Sequence, residues 1–204
     1  MAPIDKTGYE IIKRITHKNS LSVIYSNNQY IIKKVLEDEL MYDEKFEEQI
    51  DWNSISKFSE EYDYIQKPFE YYFCNSYYEY KIPYINEKYS FDKLQNMIEL
   101  KNNFEIVVVQ KIFEMINDFL KFSVNNSNLN KKIFMHTDLK ISNIFYDYEN
   151  NKMFLIDLDS FKWVTIKKFY SILGKIIYNY NNVLKDFNIE KTLSLSHYSK
   201  LLSI

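Results

Sequence analysis

Residues 136–159 read HTDLKISNIFYDYENNKMFLIDLD, a His, spaced Asp residues, a Lys and an Asn set beside two apolar strand-like runs. NIFYD and KMFLID are short and rich in β-branched, aromatic and aliphatic residues, and the polar YENN lies between them, so the stretch predicts a hairpin with polar loops at its edges. Asp138 and Asn143 stand in one loop, and the hairpin returns the chain so that Asp157 faces the same point. Taken singly, each reads as loop punctuation, because Asp and Asn are common turn residues. Taken in order, between apolar strands, they read as a site.

Upstream of this stretch the chain is rich in strand signals. YEIIKRI (9–15), SVIYS (22–26) and YIIKKV (30–35) predict a three-stranded antiparallel meander, with Asn27 and Asn28 at a tight hairpin where positive φ is needed. The acidic run that follows places Met41, Phe46, Ile50, Trp52 and Ile55 at rough helical spacing, predicting a helix from near Tyr42. Residues 64–85 are aromatic-rich with a break at Cys74, Asn75 and Ser76, and read as two more strands closing a five-stranded sheet that ends at Pro83. Downstream, Ser90 caps a short helix through Leu100. FEIVVVQKIFEMINDFLKFSV then sets Ile106, Val109, Phe113, Ile116 and Leu120 on one helical face. SFKWVTIKK leads into a last helix with Phe169, Leu173, Ile176, Tyr180 and Leu184 on a stripe.

A chain of 204 residues suits one domain or a compact two-lobed one, and 46% hydrophobic with 18% aromatic residues supplies ample core. The formal net charge of -2 carries no nucleic-acid signature. Cys74 is the lone cysteine, which excludes an internal disulfide framework and a cysteine-rich zinc site, and His17, His136 and His197 lack ligand spacing. The expectation is a reduced, cytoplasmic setting. The first residues lack an apolar signal-peptide core, and no apolar run approaches the ~20 residues that span a bilayer. Glycine occurs only at Gly8 and Gly174.

The fold class predicted is therefore α+β: residues 1–85 as a small β-rich lobe with one helix, and residues 86–204 as a mostly helical lobe holding the hairpin. Here HTDLKISN followed by LIDLD resembles the protein-kinase-like superfamily. It is similar to the H-x-D-x-x-x-x-N catalytic loop and the metal-binding Asp that ends the next strand. In style the chain looks closest to small phosphotransferases such as aminoglycoside, choline and lipopolysaccharide-core sugar kinases, over residues 9–159. The resemblance implies a bilobed fold, ATP and Mg²⁺ as cofactors, and one kinase-like domain.

The resemblance assigns roles residue by residue. Asp138 is the base or orienter of the acceptor hydroxyl, and Asn143 and Asp157 are oxygen ligands for Mg²⁺. Asp159, two residues on, is placed at the metal or the acceptor. His136 is an orienting, partly buried residue. Lys140 is similar to the lysine of the D-L-K run in serine/threonine kinases, where it contacts the transferred phosphate. YIIK at 30–33 is similar to V-A-I-K, making Lys33 the phosphate ligand and putting Ile31 beneath the adenine, with Ile32 and Lys34 on the other face. Its helix partner is sought among Glu44, Glu47 and Glu48, with Glu47 preferred. Val23 covers the adenine, and Pro83, Tyr84 and Ile85 lie in the hinge whose backbone pairs with the adenine edge.

Two departures bear on function. The nucleotide loop THKNSLS has no glycine to let backbone N–H groups approach phosphate, so Asn19, Ser20 and Ser22 are the donors available. LIDLD replaces D-F-G, Thr137 stands where an arginine would read a phosphorylated loop, and no long activation loop fits before the last helix. The leading expectation is an ATP- and Mg²⁺-dependent kinase of a hydroxyl on a small molecule or saccharide, such as a lipopolysaccharide-core sugar. The lysine-rich segment after Phe161 suits an anionic or membrane-surface acceptor. The alternatives are a minimal serine/threonine protein kinase, and a pseudokinase acting as a nucleotide-binding module. No motif specifies the acceptor or the oligomeric state.

Overall fold

The computed structural model describes residues 2–16, 20–37, 50–74, 77–86, 90, 104–128 and 131–186. The chain divides into two compact units, Met1–Ile85 and Asn86–Ile204.

The first unit is built on a five-stranded antiparallel sheet. Its strands are β1 (Glu10–Thr16), β2 (Ser20–Ser26), β3 (Tyr30–Glu37), β4 (Glu70–Cys74) and β5 (Tyr77–Pro83), ordered β1-β2-β3-β5-β4. The β2–β3 turn works as its two asparagines require. Asn28 takes a φ of 64°, and the Asn27 side-chain oxygen accepts the N–H groups of Gln29 and Tyr30. Helix α1 (Trp52–Glu61) follows β3 in the chain. It starts where the Asp51 carboxylate accepts the N–H of Ser54 at 3.0 Å and its hydroxyl at 2.6 Å. The expected start near Tyr42, with Met41 and Phe46, lies outside the described residues, and Asp51 leaves Ile50 ahead of the helix instead of within it. Trp52, Ile55 and Phe58 are its buried face.

Directly opposed residues in an antiparallel ladder share a face, so the register sorts the sheet into two sides. One side carries Ile24, Lys33, Tyr80 and Tyr71. There the Trp52 ring stacks on Tyr71 at 5.2 Å and tilts against Tyr80 at 5.2 Å. The other side carries Val23, Lys34, Glu79 and Tyr72. The N-terminal segment covers it: Ile4 is buried, its N–H donates to Glu79, and the Lys6 ammonium lies 2.6 Å from Glu79 Oε2. Glu79 is 0% exposed in mid-strand, and those two partners offset the desolvation of its carboxylate.

The second unit opens with a bridge between Ser90 and Phe145, and the short helix expected after Ser90 falls outside the described residues. Helix α2 (Phe104–Asn125) buries Phe113, Ile116, Phe119 and Leu120. Four strands follow: β6 (Lys132–His136), β7 (Ile144–Asp147), β8 (Lys152–Leu155) and β9 (Phe161–Thr165), then α3 (Ile166–Asp186), which buries Phe169, Leu173 and Ile176. β7 and β8 form the expected hairpin. β9 is a difference from the sequence reading: FKWVT is a strand, and it pairs antiparallel with β6 across an interval of twenty-four residues between their ends, His136 opposite Phe161. Phe134, Phe161 and Phe119 pack as a fully buried aromatic cluster under that ladder. Among the described residues there are three α-helices, and none is long and apolar enough to cross a membrane.

The cap gives a direct test of the α1 boundary. Asp51→Ala is expected to cost about 1 kcal/mol of stability while Asp51→Asn keeps most of it, measured by chemical denaturation of the full chain.

Candidate active site

The polar residues of 136–159 are held by two short ladders that share one chain path. β6–β9 runs out at His136 and Phe161, and the next residues stay bonded, Thr137 N–H donating to the Ser160 carbonyl at 2.8 Å. β7–β8 ends at Ile144 and Leu155, and Ile156 N–H donates to the Asn143 carbonyl at 3.0 Å. The loop 137–143 and the turn 156–160 are therefore each anchored at both ends, against each other. This brings Asp138, Asn143 and Asp157 into one corner of the unit.

Within that corner Asn143 organises the loop. Its amide nitrogen donates to the Asp138 carbonyl at 2.8 Å and to Asp138 Oδ2 at 3.1 Å, and the residue is buried. Both amide protons are then used, which leaves Oδ1 as a hard oxygen donor. The Lys140 ammonium lies 2.7 Å from Asp138 Oδ2, with the Asp138 side chain 47% exposed. An exposed pair of this kind adds little stability. Its consequence is positional: the Asn143 amide and the Lys140 ammonium meet on the same oxygen, Oδ2, of a carboxylate that stays partly exposed.

Asp157 lies between β8 and β9 with φ 68° and ψ 54°, the left-handed region. A non-glycine residue there costs on the order of 1 kcal/mol, and such strain persists where surrounding bonds impose it. Here they are visible: Ser160 N–H donates to the Asp157 carbonyl at 2.8 Å and Ser160 Oγ to Asp157 Oδ2 at 2.9 Å. Asp159 sits on the 3-10 turn Leu158–Ser160. His136 is 0% exposed, beyond the partial burial expected, and its Nε2 lies 2.8 Å from the Ile156 carbonyl, with the ring edge-on to Phe161. Burial holds the imidazole below its ordinary pKa, so it is neutral and donates from Nε2. It braces the residue before Asp157.

The sheet residues named from the sequence meet the structure unevenly. Ile31 and Lys33 share one face as strand alternation requires, with Ser26 and Ile82 opposite Ile31, and Ile24 and Tyr80 opposite Lys33. Val23 is a correction: it stands opposite Lys34, on the face away from Lys33, and is buried there. It cannot line one wall with Ile31 and Lys33, because a shift of one residue in a strand reverses the face. Ile24 holds the position that Val23 was assigned. Ser20 and Ser22 lie on the Lys33 face, opposite Glu37 and Val35, and Ser22 is buried. Asn19 and Glu47, with Glu44 and Glu48, lie outside the described residues. The described acids of α1, Glu60 and Glu61, pair with Lys67 and Lys57. At the end of β5, Pro83 is opposite Tyr30, and Ile85 is buried. The Tyr84 N–H donates to the Gln29 carbonyl at 2.9 Å, so it is not free to pair with an adenine edge.

Among the described residues no three His, Cys, Asp or Glu side chains cluster as a self-sufficient metal site. The donors present, one amide oxygen and the Asp157 carboxylate, fit instead a hard cation that keeps several waters and takes further oxygens from phosphate, as Mg²⁺ does. Ser160 is the residue the sequence reading missed, because a lone serine after Asp159 has no spacing signature.

No protein-family model matches the chain. Over 64 residues, 31% of its length, it is 34% identical to a "probable serine/threonine-protein kinase" of fowlpox virus (strain NVSL). The match covers 19% of that protein, so the chain spans about a fifth of this relative's length. The likeness supports a protein-kinase-like relationship.

Neutral His136 also gives a pH dependence with a definite sign. Its folded pKa is below 6.5, the ordinary value, so the stability it contributes is present above pH ~6.5 and is lost as pH falls below it toward the folded pKa. Melting temperatures followed downward from pH 7 are expected to fall more steeply for the native chain than for His136→Gln. Parallel curves would exclude the neutral imidazole as the cause.

Proposed function

We propose that the chain is a kinase-like phosphotransferase that moves the terminal phosphoryl group of ATP to a hydroxyl, with Mg²⁺ at the Asn143–Asp157 corner. The observation that carries the reading is the loop 138–143 itself. An exposed Asp138 carboxylate is held by the Asn143 amide and the Lys140 ammonium, beside an Asp157 kept in a left-handed conformation.

In this reading Asp138 aligns the acceptor hydroxyl and takes up its proton as the new oxygen–phosphorus bond forms and the bond from the terminal phosphorus to the departing ADP breaks. Asn143 Oδ1 and the Asp157 carboxylate are the groups that would hold Mg²⁺, which supplies neutralisation of phosphate charge. Lys140, on the exposed side of Asp138, is the cation that meets the transferred phosphoryl group. On the first unit, Lys33 is the lysine that YIIK makes similar to a phosphate ligand, with Ile31, Ile24 and Ser22 on the same face of the sheet.

For the acceptor, we favour the hydroxyl of a protein serine or threonine over a saccharide. The Lys140–Asp138 contact and the likeness to a probable viral serine/threonine-protein kinase support this choice. The saccharide reading retains only the spacing of Asp157 and Asp159, and a nucleotide-binding module without turnover retains only the glycine-free loop. Incubation with labelled ATP, Mg²⁺ and panels of proteins, sugars and glycolipids separates the three. Label in protein supports the proposal, label in sugar overturns the acceptor, and nucleotide binding without transfer or hydrolysis overturns the activity.

Two substitutions test the site. Asp138→Ala is expected to lower turnover at least ~100-fold with nucleotide affinity nearly kept; an unchanged rate removes Asp138 from catalysis. Asp157→Ala is expected to abolish the Mg²⁺ dependence of nucleotide binding, followed by calorimetric titration with and without the metal.

A further inference from the structure

We propose that the second unit carries a lysine surface, built from the start of β6 and the exposed side of α3, that docks on an anionic lipid bilayer. Docking of this kind does not depend on the phosphotransferase reading.

Half of the surface comes from the lysine-rich segment after Phe161 and half from the strand that pairs with it. Lys132 stands directly opposite Thr165 at the end of the β6–β9 ladder, and Lys167 and Lys168 follow Thr165 in the first turn of α3. Asn128 fixes the β6 side. Its carbonyl accepts the Lys131 N–H, its side-chain oxygen accepts the Lys132 N–H, and its own N–H donates to the Lys132 carbonyl, each at 2.9 Å. On the helix side the Thr165 hydroxyl accepts the Lys168 N–H at 3.3 Å. All four lysines are exposed. From there the face of α3 runs through Lys168, Ser171, Lys175 and Tyr178, at spacings of three and four residues that keep them on one side of a helix. Each of these is exposed, Tyr178 to 69%.

The fold gains no stability from this concentration of charge. Cations in the first turn of a helix oppose its dipole, and like charges within about 10 Å of one another repel at moderate salt. Among the described residues, none of Lys131, Lys132, Lys167, Lys168 and Lys175 is in an ion pair, whereas Lys57, Lys67, Lys81 and Lys121 each lie against a carboxylate. α3 carries no acid before Asp186. A partner that supplies the opposite charge has to meet a strand end and a length of helix at once, as an extended anionic plane does. The exposed tyrosine on the same face suits the headgroup layer, where amphipathic rings concentrate. The formal net charge of -2 makes the surface a local field and not a general affinity for polyanions.

The test is flotation of the full chain with phosphatidylcholine vesicles, with and without phosphatidylserine. Binding is expected only to the vesicles that contain phosphatidylserine, and is expected to fade as salt is raised. A lysine near such a surface carries about fivefold in affinity, so Lys132→Gln with Lys168→Gln is expected to weaken binding about 25-fold, and Lys132→Arg with Lys168→Arg to keep it. Lys13→Gln with Arg14→Gln, which removes the same charge from exposed positions of β1, is expected to leave binding unchanged. Equal binding to both vesicles, binding to neither, native affinity in the Lys132 and Lys168 glutamine pair, or an equal loss in the β1 pair overturns the proposal. If the glutamine pair does not fold, binding of the native chain that is insensitive to salt overturns it. Tighter binding to polyglutamate or to duplex RNA than to the vesicles, at matched charge, overturns the bilayer as the partner.

Discussion

Two backbone hydrogen bonds, Thr137 N–H to the Ser160 carbonyl and Ile156 N–H to the Asn143 carbonyl, set the geometry on which the rest of the candidate site depends. Each extends a two-stranded ladder by one step past its last strand residue. Because the strands are consecutive in the order β6, β7, β8, β9, the outer pair and the inner pair enclose the same two loops. A loop fixed at one end samples many conformations; fixed at both, it has few left to lose when a ligand arrives. Polar side chains borne on such loops are preorganised by the backbone before any side-chain bond is counted.

The anchoring has a source in packing. Phe161 enters β9 directly after the 156–160 turn and is stacked on Phe134, edge-on to Phe119 and to His136, all of them buried. The turn cannot drift without pulling Phe161 out of that cluster. His136 adds a bond from beneath, to the carbonyl of Ile156, and burial keeps it neutral so that the bond is made without a buried charge. The left-handed Asp157 is the residue on which these constraints act, and the order-of-magnitude cost of its conformation is small beside the apolar burial on either side.

Much of this was legible in the sequence, for identifiable reasons. The meander, the β4–β5 pair and the β7–β8 hairpin are contacts between near neighbours, announced by alternation and by turn residues such as Asn27 and Asn28. The meeting of Asp138, Asn143 and Asp157 was legible because they stand at intervals a hairpin can close. β9 was not read, although Phe161, Trp163 and Thr165 alternate, because its partner β6 lies across the whole hairpin. Val23 was misplaced because a one-residue choice in β2 cannot be made from that strand alone. Ile24 and Val23 are equally apolar, and only the register against Lys33 and Lys34 separates them.

By itself the sequence determined the local elements and the order of the chemical groups, since both follow from short-range periodicity and residue type. The tertiary structure decided which of those groups meet. It paired β6 with β9, it joined Thr137 to the Ser160 carbonyl, and it committed the Tyr84 N–H to Gln29. Each is a contact between segments whose separation along the chain carries no periodic signal. Hydrogen bonds of that kind are specified by where the apolar core draws the strands, and the core is a property of the whole unit.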